Sequence, residues 1–213
     1  MKIKPEELAD HGYTLLDQLG HQELIPFVRT YLKKRTPISL FYTFSNVIIA
    51  GIIIFWGWKN YGTAGFSLGA GLTHLSYGLA IAFTLIPLHE YIHVLAYKSQ
   101  GATKTSYDAN WKKFYFMAIA DQFVANKKEF RIVALAPFVV ISTTLIVLLF
   151  FVTPLWSFTI LGILLTHTAF SSGDFGLLSY FDYYKNKDIV TYDDKANRLS
   201  YFYGKQGERK KAV

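Results

Sequence analysis

The chain contains no cysteine, which excludes disulfides, thiolate metal ligands and a cysteine nucleophile. Any metal ion it binds must be held by histidine and carboxylate. Charge is scarce too: Asp, Glu, Lys and Arg make up 17% of the 213 residues, where soluble domains run to about a quarter. The scarcity is local. Of fifteen Asp and Glu, only Glu90 and Asp174 lie inside the long apolar runs, and no Lys or Arg does. Repeats and low-complexity stretches are also missing.

What is abundant is apolar sequence, at 52% of the chain. A hydrocarbon core about 30 Å thick is crossed by about 20 helical residues. Four stretches are long enough: Pro37 to Trp58, Ser67 to Tyr97, Ile132 to Val152 and Pro154 to Phe181. Only Val152, Thr153 and Pro154 separate the last two, which predicts a tight helical hairpin. The first run starts too late, and is too long, for the apolar region of a secretory leader. The expected fold is therefore mostly α, a polytopic membrane protein with four transmembrane helices.

Cationic residues orient this arrangement. Six Lys/Arg precede Pro37, seven lie from Lys98 to Arg131, eight follow Phe181, and only Lys59 falls between the first two spans. Cytoplasmic loops carry the Lys/Arg excess, so both termini and the 98–131 loop are expected in the cytoplasm of a multi-pass cell-membrane protein. The net charge of +7 is thereby explained, and no nucleic-acid partner is expected.

The expected organisation is a cytoplasmic amphipathic helical arm (1–36), a four-helix membrane core (37–181) and a cytoplasmic tail (182–213). In the arm, Leu15, Leu16, Leu19, Leu24, Phe27, Val28, Tyr31 and Leu32 fall at helical spacing. Its Lys33-Lys34-Arg35 end suits anionic head groups, and a plain packing helix suits the same pattern. Small cytoplasmic β segments are expected at Lys113–Ile119 and in a hairpin of Ile189–Tyr192 with Leu199–Phe202. Asn126 to Glu129 fits a capping box opening the third span.

The two acidic residues of the spans carry the chemistry. An ionisable group within a bilayer costs about 2.5 kcal/mol or more, so it usually has a task and a partner. Glu90 follows His89 and precedes His93 by three residues. Histidines at i and i+4 share a helix face one turn apart, which suits two imidazoles converging on one metal ion. The glutamate beside the first histidine is placed to take a proton from a metal-bound water. The alternative is a polar cluster that only hydrogen-bonds between helices.

A third ligand should come from another helix. Counting inward from Lys98 at 1.5 Å per residue puts His93 and His89 about 8 and 14 Å deep. The same count from Asp182 puts Asp174 about 12 Å deep from the same side. His167 lies two turns before Asp174 and about 10 Å further in, which suits a hydrogen-bond donor to the reacting group or a residue behind the ligands. An ordinary interhelical histidine fits His167 equally well. His74 lies over about 20 Å along the helix from His89 and is expected to be unrelated; His11 and His21 fall in the arm and suggest no role. Pro87 frees the carbonyl of Phe83 and should kink the helix ahead of His89.

Leu88-His89-Glu90-Tyr91-Ile92-His93 on a membrane helix, Leu135-Ala136-Pro137 opening a later one, and Ser172-Gly173-Asp174 in the next together resemble the site-2-protease-like membrane zincins. More closely they resemble a bacterial family of zincin peptidases, over about residues 37–203. The resemblance implies zinc ligation by His89, His93 and Asp174, with Glu90 as catalytic base. It also implies that the Lys113–Ile119 strand holds an extended peptide or membrane-protein substrate. Site-2 proteases place an asparagine and a proline-rich turn before their Asp-Gly. Here His167 to Gly173 has no proline and Phe175 follows Asp174, so His167 stands where that asparagine would act. The leading expectation is a zinc metalloprotease in the bilayer. A catalytically inactive relative binding metal or a partner, and a metal-dependent hydrolase of lipid or small amides, remain open alternatives. Oligomeric state and substrate identity are not expressed in the sequence.

Overall fold

The computed structural model describes residues 3–63, 65–110, 112 and 115–206. The arm that periodicity assigns to a helix folds instead as a 3-10 turn (Pro5–Glu7), strand β1 (Thr14–Gly20) and helix α1 (Leu24–Leu32). Leu15, Leu16 and Leu19 keep their helical spacing, but a partner strand near the other terminus overrides it. Helix α1 packs on the core through Val28, which lies against Gly176, and leaves Ile25 exposed.

Four apolar regions follow. Thr36 caps α2 (Pro37–Asn60) by accepting from the Ser39 amide. Helix α3 (Leu68–Ile81) runs through a 3-10 turn at Ala82–Leu85 into α4 (Ile86–Ser99). Pro87 sits in the first turn of α4, where its missing N–H breaks the regular ladder and leaves that 3-10 turn. Strands β2 (Thr105–Asn110) and β3 (Tyr115–Ala120) form an antiparallel hairpin. The expected Lys113–Ile119 strand begins at Tyr115; Lys113 and Phe114 lie outside the described residues. Strand β4 (Ala125–Asn126) leads directly into α5 (Lys127–Leu148).

Asn126 Oδ1 accepts from the Lys128 and Glu129 amides, and Glu129 accepts from the Asn126 amide. The capping box is therefore present, and it starts α5 five residues before the expected Ile132. Helices α6 (Pro154–Phe170) and α7 (Ser172–Tyr183) form a pair bent by 44° at Ser171. Strands β5 (Lys187–Asp194) and β6 (Leu199–Gln206) are the last described elements, with Thr191 opposite Phe202.

Among the described residues, three helices are long and apolar enough to cross a membrane: Pro37–Asn60, Leu68–Ser99 and Lys127–Phe151. The expected fourth span is the bent α6–α7 pair, which becomes one span only if both halves are counted together. Helices α3 and α6 touch backbone to backbone. A Cβ on Gly162 would meet the Leu75 carbonyl oxygen at 2.6 Å, and one on Gly78 would overlap the Thr159 carbonyl. Such small-residue contacts pack helices where lipid removes the hydrophobic drive between them.

The remaining segments gather at one end. The sheet order is β1-β6-β5-β4, all antiparallel, so the two ends of the chain pair directly. Phe130 of α5, Tyr180 and Phe181 of α7, Leu19 and Phe202 form a buried core joining this sheet to the helices. Tyr180 donates to Asp17 of β1 at 2.7 Å. The β2–β3 hairpin is tied to the same layer by the Asp121–Asp193 bridge and by His21–Asp108 at 2.9 Å.

Candidate metal centre

His89 and His93 lie one turn apart on the inward face of α4, and both are buried. That face is turned by the pattern of the helix itself: Leu88, Tyr91 and Leu95 point outward and are exposed. Asp174 enters from the first turns of α7, just past the bend. Its Oδ2 lies 3.2 Å from His89 Nε2 and its Oδ1 lies 3.1 Å from His93 Nε2; the two Nε2 atoms are 3.1 Å apart. The three residues whose depths agree in the sequence count thus meet at one point.

The ring tautomers follow from the partners behind. His93 Nδ1 lies 2.9 Å from the Val133 carbonyl oxygen, which can only accept, so Nδ1 carries the proton and Nε2 a lone pair. Val133 is available for a specific reason. Its carbonyl would normally take the amide of residue 137, but that residue is Pro137, inside α5 and without an N–H. The Leu-Ala-Pro motif therefore serves the metal centre by releasing a carbonyl. Sequence reading missed Val133, although a proline four residues on was the signal.

His89 Nδ1 lies 3.2 Å from His167 Nε2. With His89 as the donor of this bond, its Nε2 is the second lone pair facing Asp174. His167 lies two turns from Asp174, and the His89 ring bridges the two levels, with Nδ1 towards His167 and Nε2 towards Asp174. His74 instead bonds Thr159 at 3.0 Å and stands apart from the site, as expected. His21 has a role that the sequence reading did not assign: it is buried, pinning the arm to β2 through Asp108.

Glu90 borders the same cavity. Its Oε2 is buried without a hydrogen-bond partner, and the Ala118 backbone on β3 reaches its carboxyl. His89, Glu90 and His93 also form a possible ligand set, with donor atoms within 4.8 Å of one another. The His89–His93–Asp174 set is tighter. Ligands 2.0–2.1 Å from a tetrahedral zinc stand about 3.3 Å apart, close to the 3.1–3.2 Å found here. With both rings in that tautomer, two imidazole lone pairs and a carboxylate converge on one point, the arrangement that a divalent cation bridges. The donor set fits zinc. On the sheet side of the cavity, burial pushes the Asp193 carboxyl up from its ordinary range, against the Ser200 hydroxyl that bonds it at 2.6 Å.

The family model described as "Putative zincin peptidase" matches residues 82–188, a little over half of the chain. The chain belongs to this family. A zincin peptidase holds zinc, and the matched region contains His89, Glu90, His93, His167 and Asp174 while leaving out β1, α1, α2 and α3. Neither a curated protein nor a solved structure matches the chain.

Proposed function

We propose that the protein is a membrane-embedded zinc metallopeptidase of the site-2-protease type, with zinc held by His89, His93 and Asp174. The observation that carries this reading is the convergence of two histidine lone pairs and a carboxylate beside a glutamate that is not needed as a ligand. Bound zinc supplies a Lewis acid and lowers the pKa of water towards 7.

The residues of the chain do the rest. Val133 and His167 hold the two imidazoles with Nε2 forward, as the outer partners of metal-bound histidines do. His167 is in this reading a positioning residue behind His89. Glu90 takes the proton of the attacking water and passes it to the leaving nitrogen as the C–N bond breaks. Among the described residues β3 pairs only with β2, so its other edge, where Ala118 faces Glu90, can hold an extended substrate backbone by strand addition.

The membrane part of the reading rests on the three long apolar helices and on the gathering of β1, the β2–β3 hairpin and β5–β6 at one end. Outside the apolar helices nearly all the Lys and Arg fall in the sequence segments 1–36, 98–131 and 182–213, which supports a cytoplasmic layer with both termini inside and the site open near the cytoplasmic face. Reporter fusions after Lys59 and Lys185 should report opposite sides; the same side for both would overturn the topology.

The test of function is Glu90→Gln. The change keeps size and a hydrogen-bonding end but removes the base. The variant should keep its zinc and lose about 10²-fold or more in peptide cleavage. Intact zinc with unchanged cleavage would refute this mechanism. Zinc in both forms with cleavage in neither would favour the inactive relative.

A further inference from the structure

We propose that a second cavity, opening from the metal centre between α1, the start of α4 and the end of α6, is a specificity pocket for a large apolar side chain next to the scissile bond. The inference rests on the zinc-peptidase reading and adds the substrate class to it.

Two cavities meet at the site, sharing Leu24, His89, Glu90, Phe116, Phe170 and Gly173. They differ in character. The first, about 110 Å³, runs under the sheet and is edged by Thr191, Asp193 and Ser200. The second, about 190 Å³, is lined away from the metal centre by Ile25, Val28, Ala82, Leu85 and Ile86. Its polar lining is confined to the end near the metal centre, at His89, Glu90, His167 and Ser172. An apolar cavity of about 150 Å³ is large enough to hold benzene, so this one admits a leucine- or phenylalanine-sized group. A charged side chain would find no counter-ion on its apolar wall and would lose its hydration.

The position makes it a substrate pocket rather than a packing defect. A peptide laid along β3 passes Phe116 and Ala118, and its scissile carbonyl must lie beside Glu90. Because side chains of an extended peptide alternate, neighbours of that bond face opposite ways. One enters the first cavity and the other the second. The far wall belongs to α1, outside the matched family region. That wall is fixed by a close approach: a Cβ on Gly176 would sit 2.7 Å from Val28 Cγ1. Side-chain selection is therefore set partly by the N-terminal arm.

The test uses full-length, zinc-loaded protein in detergent and hydroxamates as metal-directed probes, read by calorimetry rather than by activity. Acetohydroxamate measures the metal centre alone; homologues with leucine- and phenylalanine-sized tails measure the pocket. Wild type should bind the larger probes about 10²-fold more tightly, at about fourfold per buried methylene. Ala82→Leu should lose most of that gain while binding acetohydroxamate as wild type does, which also shows that it folds. Leu85→Ala, which enlarges the cavity, should shift the preference to the longer tail and serves if Ala82→Leu does not fold. Acetohydroxamate binding with no gain from the tail, or a gain unaltered by both variants, would overturn the pocket and leave the metal centre standing. No hydroxamate binding at all to zinc-loaded protein would overturn the zinc-peptidase reading itself, and the pocket with it.

Discussion

Helices α2 and α4 are both read from sequence as parts of apolar spans and both turn large apolar residues outward, yet they differ in what they bury. Among its side chains α2 buries only Ser39 and Ile49, and it leaves Phe44, Val47, Ile48, Ile54 and Trp58 exposed. Helix α4 buries His89 and His93 beside Val94, Ala96 and Tyr97, and turns Leu88, Tyr91 and Leu95 outward. In water that distribution would be inside out. It is stable if the surroundings are lipid and the interior holds a charged partner. Outward apolar residues thus report the solvent, while inward polar residues report a site.

Substitutions on the two helices should separate these roles. The largest effect is expected on the inner face of α4: His93→Ala should reduce bound zinc from about one per chain to background, by metal analysis. Zinc retained in full would mean that α4 does not supply the ligands. A charge on the outer side of α2 comes next. Ile48→Lys should disfavour insertion by about 2.5 kcal/mol if the residue lies near the bilayer centre, read as loss of membrane-integrated protein. Normal insertion would mean that this face does not meet lipid.

Pro137→Ala sharpens the comparison from α5, because it should act in two directions at once. Restoring an amide at residue 137 reclaims the Val133 carbonyl from His93, so zinc affinity should fall about tenfold or more. Removing a proline from a helix interior should also raise the stability of the metal-free protein, by up to about 3 kcal/mol. Equal affinity with higher stability would show that the Val133 bond is incidental. The smallest effect belongs to the outer faces: Ile52→Ala on α2 should change stability by less than about 0.5 kcal/mol, measured by thermal unfolding in detergent.

The parts of this architecture legible in sequence were those with a one-dimensional signature. Apolar length marked four stretches, of which three form helices long enough to cross a membrane and the fourth a bent pair, and the i, i+4 histidines and the two carboxylates within the apolar runs pointed to the candidate centre. Depth counting placed Asp174 correctly because His89, His93 and Asp174 each lie on an unbroken helix leading from the same end. The same count set His167 behind the ligands rather than among them, and there it meets His89 Nδ1; the bend between α6 and α7 was not legible, because no proline or glycine pair announces it. Strand β1 was hidden because its partner, β6, lies at the far end of the chain. The service of Val133 was legible only through what Pro137 lacks.

The central claim is the identity of the third ligand, and two sets compete: His89–His93–Asp174 and His89–Glu90–His93. Zinc content of purified Asp174→Ala and Glu90→Gln, measured beside wild type, decides between them. The account predicts zinc lost in Asp174→Ala and kept near one per chain in Glu90→Gln. Zinc kept in the first and lost in the second would make Glu90 the ligand and contradict the mechanism proposed for it.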